Sequence, residues 1–402
     1  MKYIVILGDG MGDWPLEQLG GKTPLMVANK PNINQLAAEG ESGLMRTLYD
    51  DLPTGSDIAN LCVLGYNPRK YYTGRSPIEA LGVNIPLDET DTVFRCNLVT
   101  LTTEEPFEQK TIIDHSSGKI SNEEAYQLLD AVREAFETKD RVFYPGVSYR
   151  HIMIWKNINY DYTMMPPHDI LEQKITDYLP QGPYGPEVLA MMKKSYDILM
   201  AHPVNQKRIA AGKNPANCIW LWGEGKKPTF DSFPERYHVH GSVITAVPLI
   251  KGLANGMQLK SIDVEGATGE YDTNYRGKAQ AAIDALAAGD NFVFVHVEAP
   301  DECGHDGDIE LKVKAIERID QEVVKPIKEA MDASGEDYRI LVTPDHATPI
   351  VRRSHTTDLI PFIIYDSRKK NNNAAAYDEE AAKASGIFFP DGYLLMDYFL
   401  QN

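Results

Sequence analysis

The sequence predicts an α/β protein whose mainly parallel sheet is sandwiched by helices and interrupted by a smaller inserted α/β domain. Short continuous apolar runs at residues 3–7 and 292–297 are typical of strands that are buried on both faces of a parallel sheet. Helix-like patterns alternate with such runs in the first and last parts of the chain. Between about residues 100 and 240 the alternation is less regular, which indicates the insertion.

The composition excludes several classes of partner. With 402 residues the chain is long enough for about two domains, or for one large domain with an insertion. The formal net charge of −18 argues against nucleic acid or an anionic membrane as a partner. No apolar run approaches the ~20 residues of a membrane helix, and the N-terminal residues lack the pattern of a signal peptide. The sequence does not indicate an oligomeric state.

The cysteines bear on the redox compartment. They lie far apart and form no C-x-x-C pair, at Cys62, Cys96, Cys218 and Cys303. Neither a disulfide framework nor a zinc ribbon is therefore indicated. We expect a protein of the reducing cytoplasm.

The first predicted strand, residues 3–7, ends in a glycine-rich turn. Glycines allow the backbone to turn tightly and to approach a ligand, which leaves Asp9 at the carboxyl end of the strand. The alternative is that Asp9 only forms the turn. A helix over residues 31–40 follows, with a proline in its first turn and a glycine at its end.

Ser56 lies where the next helix begins, after a loop that contains Pro53 and Gly55. A serine in that position is commonly a plain N-cap. It could instead be a nucleophile, because the positive end of the helix dipole favours an incoming phosphoryl group. The chain contains no G-x-S-x-G motif at Ser56, so a metal would have to activate the hydroxyl.

The middle of the chain combines further elements with polar residues in unusual surroundings. We predict helices at 78–81, 122–137 and 187–200, and strands at 92–101, 142–143, 151–155 and 218–222. Candidates for an anion-binding site are Arg150, His151, His168, Asp169 and Arg208. Each of them could equally be an ordinary surface or turn residue.

The strand at 292–297 leads directly to Asp301 and His305. These residues are four positions apart, so in a helical turn they would share a face and could hold one ion. A helix over 281–288 precedes the strand, and a long amphipathic helix over 309–331 follows it.

The last group of candidate ligands lies between predicted strands at 339–342 and 359–365. Asp345 and His346 follow the first strand, and His355 precedes the second. One carboxylate and two imidazoles suit Zn²⁺, Mn²⁺ or a related divalent ion. The same residues could simply cap turns. Matching ligands at other strand ends favour a site with two ions about 4 Å apart, the usual arrangement for phosphoryl transfer.

Several motifs, spread over nearly the whole chain, carry a resemblance to a known family. They are GDGMGD, PTGSDIANLCVLGYNPR, TGRSPIEALG, FRCNLVT, IWLWGEG, GATGEYDTNY, HVEAPDECGHDGD and TPDHATP…SH. The chain resembles the archaeal-type branch of cofactor-independent phosphoglycerate mutases, in the alkaline phosphatase superfamily. The resemblance implies an alkaline-phosphatase-like core with an inserted cap domain.

The resemblance also implies roles for the candidate residues. One ion would be held by Asp301, His305 and His355, and the other by Asp9, Asp345, His346 and Ser56. Ser56 would take the phosphoryl group of 3-phosphoglycerate, and the 2-hydroxyl of glycerate would then recover it. The ions would be Mn²⁺ or Mg²⁺, or else Co²⁺ or Zn²⁺, and 2,3-bisphosphoglycerate would not be required. The expected partner is a small-molecule phosphoglycerate.

The resemblance places the insertion at residues 96–237, between core segments 1–95 and 238–402. The substrate contacts are assigned from local chemistry to the five anion-site candidates of the middle region and to Lys278. His168 or Asp169 would be the general acid or base for the glycerate hydroxyls. Two other readings stay open: a phosphatase, phosphodiesterase or phosphopentomutase with the same metal core, and a non-catalytic metal-binding protein.

Overall fold

A computed structural model describes residues 1–160, 164–371 and 373–400. The chain divides into two compact units. Residues Met1–Tyr72 and Thr229–Asn402 form one, here called the core unit, and Thr73–Pro228 form the other, the inserted unit. The expected boundaries were 95/96 and 237/238, whereas the structure divides the chain at 72/73 and 228/229.

The described residues form thirteen strands and sixteen α-helices. The strands are β1 (Lys2–Gly8), β2 (Glu41–Met45), β3 (Asp91–Leu101), β4 (Ile112–Asp114), β5 (Arg141–Tyr144), β6 (Arg150–Lys156), β7 (Cys218–Lys226), β8 (Gly241–Ile244), β9 (Lys260–Ile262), β10 (Phe292–Val297), β11 (Tyr338–Thr343), β12 (Ile360–Asp366) and β13 (Phe388–Phe389). The helices are α1 (Pro24–Val27), α2 (Pro31–Glu39), α3 (Ser56–Val63), α4 (Pro68–Tyr71), α5 (Arg75–Gly82), α6 (Asn122–Phe136), α7 (Gly185–Ala201), α8 (Pro203–Ala210), α9 (Phe233–Tyr237), α10 (Pro248–Gly256), α11 (Tyr275–Ala287), α12 (Ala299–Asp306), α13 (Ile309–Arg318), α14 (Lys325–Ser334), α15 (Glu379–Ala384) and α16 (Leu394–Leu400).

The core unit contains an eight-stranded sheet in the order β13-β2-β12-β11-β1-β10-β8-β9. All neighbours are parallel except β12, which is antiparallel to both β11 and β2. Side chains of β1 alternate between the two faces. Ile4 and Ile6 join the apolar cluster that α2, α11 and α13 build on one face, while Tyr3 meets Phe399 of α16 on the other. The predicted mainly parallel sheet between helices is confirmed.

One long helical segment crosses the core unit from Ile309 to Ser334. It contains a π-helical stretch, Ile319–Val324, between α13 and α14. Pro326 lies two residues beyond this stretch, and proline cannot donate the helical hydrogen bond and clashes with the carbonyl four residues before it. The wider π turn accommodates that clash. The prediction of a long helix at 309–331 is confirmed, apart from this local change.

The inserted unit has its own sheet, in which β3 is central. β3 pairs antiparallel with β6 along one side and with β7 along the other, and β4 and β5 complete the sheet. The pairing of residues 91–95 explains why the unit begins before the expected boundary, since this stretch belongs to the middle strand. Helices α6 and α7 cover the sheet with Leu128, Leu129 and Met192.

Most of the predicted elements are present, and the differences concern short ones. Strands β2, β4, β8, β9 and β13 have five residues or fewer and were not predicted. The proline-rich loop at 165–169 partly forms a 3₁₀ helix, Pro167–Ile170. Among the described residues, none of the helices has the length and apolar character needed to cross a membrane.

Candidate active site

Three neighbouring strands of the core sheet carry the candidate ligands. β10, β1 and β11 are adjacent and parallel, so their carboxyl ends meet at one edge of the sheet. Asp9 follows β1, Asp301 lies in the first turn of α12 after β10, and Asp345 with His346 follows β11. The topology therefore brings together residues that are more than 300 positions apart in the chain.

Gly10 allows the loop after β1 to approach the other two loops. Its φ angle is +63°, and a Cβ atom there would lie 2.6 Å from Asp301 Oδ1 and 2.7 Å from Thr348 Oγ1. Both the backbone conformation and the space exclude a larger residue. The glycine-rich turn predicted from the sequence is thus required by this close approach.

Lys312 forms hydrogen bonds to two of these loops. Its side chain is fully buried, and its ammonium group donates hydrogen bonds to Gly12 O (3.1 Å), Thr348 O (2.8 Å) and Asp13 Oδ2 (2.8 Å). All three donors of the ammonium group are satisfied. The loops after β1 and β11 are therefore held in a fixed relation.

Asp301, His305 and His355 form one group of potential ligands. Helix α12 places Asp301 and His305 one turn apart, as predicted, with 3.2 Å between Oδ2 and Nε2. The Nε2 atoms of His305 and His355 are 3.1 Å apart, and His355 Nε2 lies 3.5 Å from Asp301 Oδ1. A carboxylate and two imidazoles converge here, which is a donor set that suits a divalent transition metal.

Asp9, Asp345 and His346 form a second group, and all three residues are buried. His346 Nε2 lies 3.3 Å from Asp9 Oδ1 and 3.4 Å from Asp345 Oδ2. His346 also has a ligand atom within 4.8 Å of ligand atoms of Asp301 and His355, and its ring lies 3.9 Å from that of His355. His346 therefore lies between the two groups, whereas the resemblance assigns it to the second group.

Ser56 is the first residue of α3, and Gly55 occupies the N-cap position. The alternative of a plain N-cap serine is therefore wrong. The Ser56 hydroxyl instead lies 3.2 Å from His346 Nε2. The side chain is half-buried at the start of a helix, where the backbone dipole favours negative charge.

The charges of the buried carboxylates fit a site for cations. Burial raises the pKa of Asp9 well above its usual value, and the charges of Asp345 and Asp301 add to the effect. Burial likewise raises the pKa of Asp345 to about 6. Asp9 Oδ1 forms no hydrogen bond in the described part of the chain, although His346 Nε2 lies 3.3 Å from it. A divalent cation would neutralise these charges and give that oxygen a partner, so the residues present fit the ions that the resemblance implies.

The pKa of Asp301 is shifted in the opposite direction from those of Asp9 and Asp345. Burial acts to raise its pKa, but hydrogen bonds from His305 and His355 lower the pKa well below the usual value. The Thr348 hydroxyl also forms a hydrogen bond with Asp301 Oδ1 and lies 3.2 Å from His346 Nδ1. Asp301 is thus already ionised within its own hydrogen-bond network.

Two further residues support the ligands and were not predicted from the sequence. Asn60, fully buried, donates from Nδ2 to Asp345 Oδ2 (2.8 Å) and to Ser56 O (2.9 Å). His296, also fully buried, lies 2.9 Å from Asp9 Oδ2. An amide inside an apolar helix and an imidazole inside an apolar strand were the signals in the sequence, because buried polar groups need partners.

The inserted unit contains a separate cluster of basic side chains around one carboxylate. Glu79 Oε1 accepts from Arg75 Nε (2.8 Å) and from Arg95 NH1 (2.6 Å). Arg95 lies within β3 and is only 7% exposed although its side chain is charged. Its guanidinium stacks on Trp222 at 4.8 Å. Burial acts to raise the pKa of Glu79, but the charges of Arg95 and Arg75 lower it overall.

Two of the predicted anion-binding residues belong to this cluster. The His168 ring lies 5.4 Å from Trp222 and 6.0 Å from His115. The guanidinium of Arg150 stacks on Tyr149 at 5.0 Å. Its charge lowers the pKa of both Glu79 and Arg95. Burial lowers the pKa of both His115 and His168. Asp169 lies beside His168, with Oδ1 3.7 Å from Nε2.

Apart from Asp169, the remaining predicted substrate contacts lie outside this cluster. His151 is buried and accepts a hydrogen bond from Gly146 N–H. Arg208 is buried, and its guanidinium donates to backbone carbonyls and to Glu124. Lys278 is fully buried in the core unit and donates to His296 O (2.9 Å). Their polar groups hold the fold together.

The sequence reasoning did not identify Arg75, Glu79, Arg95 and His115 as site residues. Arg95 carried a usable signal, since a charged residue stands within an otherwise apolar strand segment, FRCNLVT. Arg75 follows Gly74, whose φ is +126° and whose added Cβ would lie 2.4 Å from Glu224 O. That close approach, unlike the arginine itself, is visible only in the structure.

Comparison with known proteins gives the family. Residues 37–205 match the family model described as 2,3-bisphosphoglycerate-independent phosphoglycerate mutase. A protein of Geobacter sulfurreducens named "probable 2,3-bisphosphoglycerate-independent phosphoglycerate mutase" is 46% identical over 404 residues, which cover 100% of both chains. A Methanosarcina barkeri protein with the same name, without "probable", is 47% identical over 96% of each chain.

Two solved structures have the same overall fold. The PH0037 protein of Pyrococcus horikoshii is 30% identical with a TM-score of 0.81, covering 99% of this chain and 97% of that one. The cofactor-independent phosphoglycerate mutase of Thermoplasma acidophilum is 28% identical with a TM-score of 0.65, covering 100% of this chain and 99% of that one. The similarity extends over both units of the chain.

Proposed function

We propose the activity of this chain from its family and its site, because the chain belongs to the 2,3-bisphosphoglycerate-independent phosphoglycerate mutases. It is an isomerase that interconverts 3-phosphoglycerate and 2-phosphoglycerate through a phosphoserine. The observation that carries the proposal is the position of Ser56, with its hydroxyl 3.2 Å from His346 at the start of a helix. The substrate is a small molecule, and the protein acts in glycolysis or gluconeogenesis.

Ser56 is the nucleophile in this proposal. The Ser56 hydroxyl loses its proton, its Oγ forms a bond to phosphorus as the bond between phosphorus and the 3-oxygen of glycerate breaks, and that oxygen gains a proton. Glycerate stays bound and reorients. The 2-hydroxyl of glycerate then loses its proton and attacks the phosphoserine, which restores Ser56. His168 or Asp169 is the candidate for these proton transfers with the glycerate hydroxyls.

Two divalent ions, Mn²⁺ or Mg²⁺, or alternatively Co²⁺ or Zn²⁺, complete the site in this proposal. Bound ions would stabilise the Ser56 alkoxide and the charge on the phosphoryl oxygens. The ligands of one would be Asp301, His305 and His355, and those of the other Asp9, Asp345, His346 and Ser56. Support comes from the buried carboxylates and from the unpartnered Oδ1 of Asp9. No 2,3-bisphosphoglycerate is required.

The basic cluster of the inserted unit binds glycerate through its carboxylate. The cluster brings three guanidinium groups together, those of Arg75, Arg95 and Arg150, and the charges of all three lower the pKa of Glu79. Guanidinium groups match carboxylate and phosphate oxygens in two-point contacts. A cytoplasmic location accords with the four free, buried cysteines.

The activity test uses the purified protein with Mn²⁺ and 3-phosphoglycerate but without 2,3-bisphosphoglycerate. We expect 2-phosphoglycerate to form with little free phosphate, because a mutase returns the phosphoryl group to glycerate. Release of inorganic phosphate as the main product would favour the alternative, a phosphatase of the same superfamily. Absence of both products would overturn the proposal.

The substrate-binding role is tested by comparing two arginines of the inserted unit. We expect Arg95→Met to raise KM for 3-phosphoglycerate by about 10- to 100-fold, which corresponds to the loss of one charged hydrogen bond. Arg208→Met, which removes a buried arginine outside the cluster, should leave KM unchanged in protein that remains folded. Equal effects of the two substitutions would reject the role of the cluster.

A further inference from the structure

A chain of hydrogen bonds leads from the backbone of Val247 through the side chains of Thr245 and His296 to Asp9. Val247 N–H donates to Thr245 Oγ1 over 3.1 Å, Thr245 Oγ1 lies 3.1 Å from His296 Nδ1, and His296 Nε2 lies 2.9 Å from Asp9 Oδ2. Thr245 is 2% exposed and His296 is fully buried, so water does not compete for these bonds. The chain ends at the carboxylate whose other oxygen forms no hydrogen bond among the described residues.

The two ends of the chain determine the direction of every bond in it. A backbone N–H can only donate, so Thr245 Oγ1 accepts from Val247. With a cation bound, Asp9 is ionised and can only accept, so its bond to His296 requires a proton on Nε2. His296 Nδ1 is then the acceptor for the Thr245 hydroxyl. Thr245 and Asp9 therefore favour the same neutral form of the imidazole, and the loss of either contact weakens that preference.

Lys278 holds the same histidine through the backbone. Its ammonium group donates to His296 O over 2.9 Å and is itself fully buried. The lysine that sequence reasoning assigned to substrate binding thus contributes to the support of Asp9.

We propose that His296, oriented by Thr245, is a positioning residue that holds Oδ2 of Asp9 and leaves Oδ1 directed at a divalent cation. Partners of this kind fix the rotamer and the basicity of a metal ligand. The inference rests on the proposed role of Asp9 as a ligand. It adds Thr245 and His296, neither of which touches substrate or ion, to the residues that determine metal affinity.

The test compares two substitutions of Thr245, of which one removes the hydroxyl group and the other keeps it. Thr245→Val keeps the shape of the side chain and removes the donor, whereas Thr245→Ser keeps the donor. We expect Thr245→Val to raise the Mn²⁺ dissociation constant, measured by electron paramagnetic resonance, about tenfold. Thr245→Ser should retain the wild-type constant. If the valine variant does not fold, Thr245→Ala removes the same donor and should give the same loss.

A second measurement reports the imidazole directly. In Mg²⁺-loaded protein labelled with ¹⁵N-histidine, the His296 signals, assigned by their loss in His296→Asn, should show a proton on Nε2. Thr245→Val should give a mixture of the two neutral forms, and Thr245→Ser should not. A purely structural role for Thr245 would leave the spectrum unchanged.

The outcomes separate the inference from the proposed function. Equal Mn²⁺ dissociation constants and equal spectra for the valine and serine variants would overturn the positioning role. A proton on Nδ1 in the wild-type protein would do the same. If the wild-type protein binds no Mn²⁺, the proposed metal site fails, whereas the spectrum still tests the hydrogen-bond chain.

Discussion

Replacing Asn60 by leucine should remove the link between Ser56 and Asp345, the proposed nucleophile and one proposed metal ligand, while both of these residues remain in the chain. The Asn60 amide joins Ser56 O to Asp345 Oδ2 at 2.9 and 2.8 Å. Leucine has the same branched skeleton of heavy atoms and cannot donate. Because no donor in the described residues reaches Asn60 Oδ1, all of the lost stabilisation comes from the two bonds made by Nδ2.

The size of the effect follows from the kind of bond that is lost. A hydrogen bond to a charged carboxylate contributes about 1.5–3 kcal/mol, so its removal corresponds to roughly 10- to 100-fold in an equilibrium constant. We expect the Mn²⁺ dissociation constant of Asn60→Leu to rise within that range. We expect kcat to fall by about 100-fold, since Ser56 is no longer fixed relative to the ligands.

The matched control is a second buried asparagine in the inserted unit. Asn205 is also fully buried, and its amide bonds Leu199 O, Ala216 O and Ala216 N–H. Asn205→Leu should lower the thermal stability of the protein but leave the Mn²⁺ dissociation constant unchanged. Wild-type Mn²⁺ affinity and kcat in Asn60→Leu, or equal losses of Mn²⁺ affinity in both variants, would refute the reasoning.

Three further predictions follow from the site and from the inserted unit. Ser56→Ala should abolish mutase turnover in protein with a native circular dichroism spectrum, and substantial remaining activity would reject Ser56 as the nucleophile. Exhaustive chelation should remove activity and added Mn²⁺ or Mg²⁺ should restore it, so full activity in metal-free protein would contradict the proposed ions. Burial lowers the pKa of His151 from 6.5 to about 4, so the unfolded chain takes up a proton that the folded inserted unit does not. Stability should therefore be fully present above pH 6.5 and fall by up to about 3 kcal/mol towards pH 4 in urea unfolding followed by tryptophan fluorescence, and His151→Phe should remove that component of the slope.

The convergence of the candidate ligands in the core unit could be predicted from the sequence because these residues follow recognisable local signals. Asp9, Asp301 and Asp345 come directly after apolar runs, and in a parallel sheet the ends of such runs meet at one edge. The spacing of Asp301 and His305 also has a local meaning, since four residues make one turn of α12. The same reasoning predicted the long strands and helices, whose periodicity extends over many residues.

The supporting residues could not be predicted in the same way. Asn60 and His296 stand inside a helix and a strand, where the sequence shows that a polar group is buried but not which partner it meets. Their partners, Asp345 and Asp9, are 285 and 287 positions away. Only the tertiary structure shows that the Asn60 amide bonds both Ser56 O and the carboxylate of Asp345.

The basic cluster of the inserted unit was hardest to predict because its members have no common local pattern. Arg75 and Glu79 lie on α5, Arg95 on β3, Arg150 at the start of β6 and His168 in a 3₁₀ turn. Sequence reasoning chose basic residues by their immediate neighbours, and so it also selected His151 and Arg208, which are buried and bonded within the fold. A buried guanidinium needs partners for its charge, and those partners are visible only in the structure. Arg208 has Glu124 and two backbone carbonyls as partners, whereas the guanidinium groups of Arg75 and Arg95 share one Glu79 oxygen.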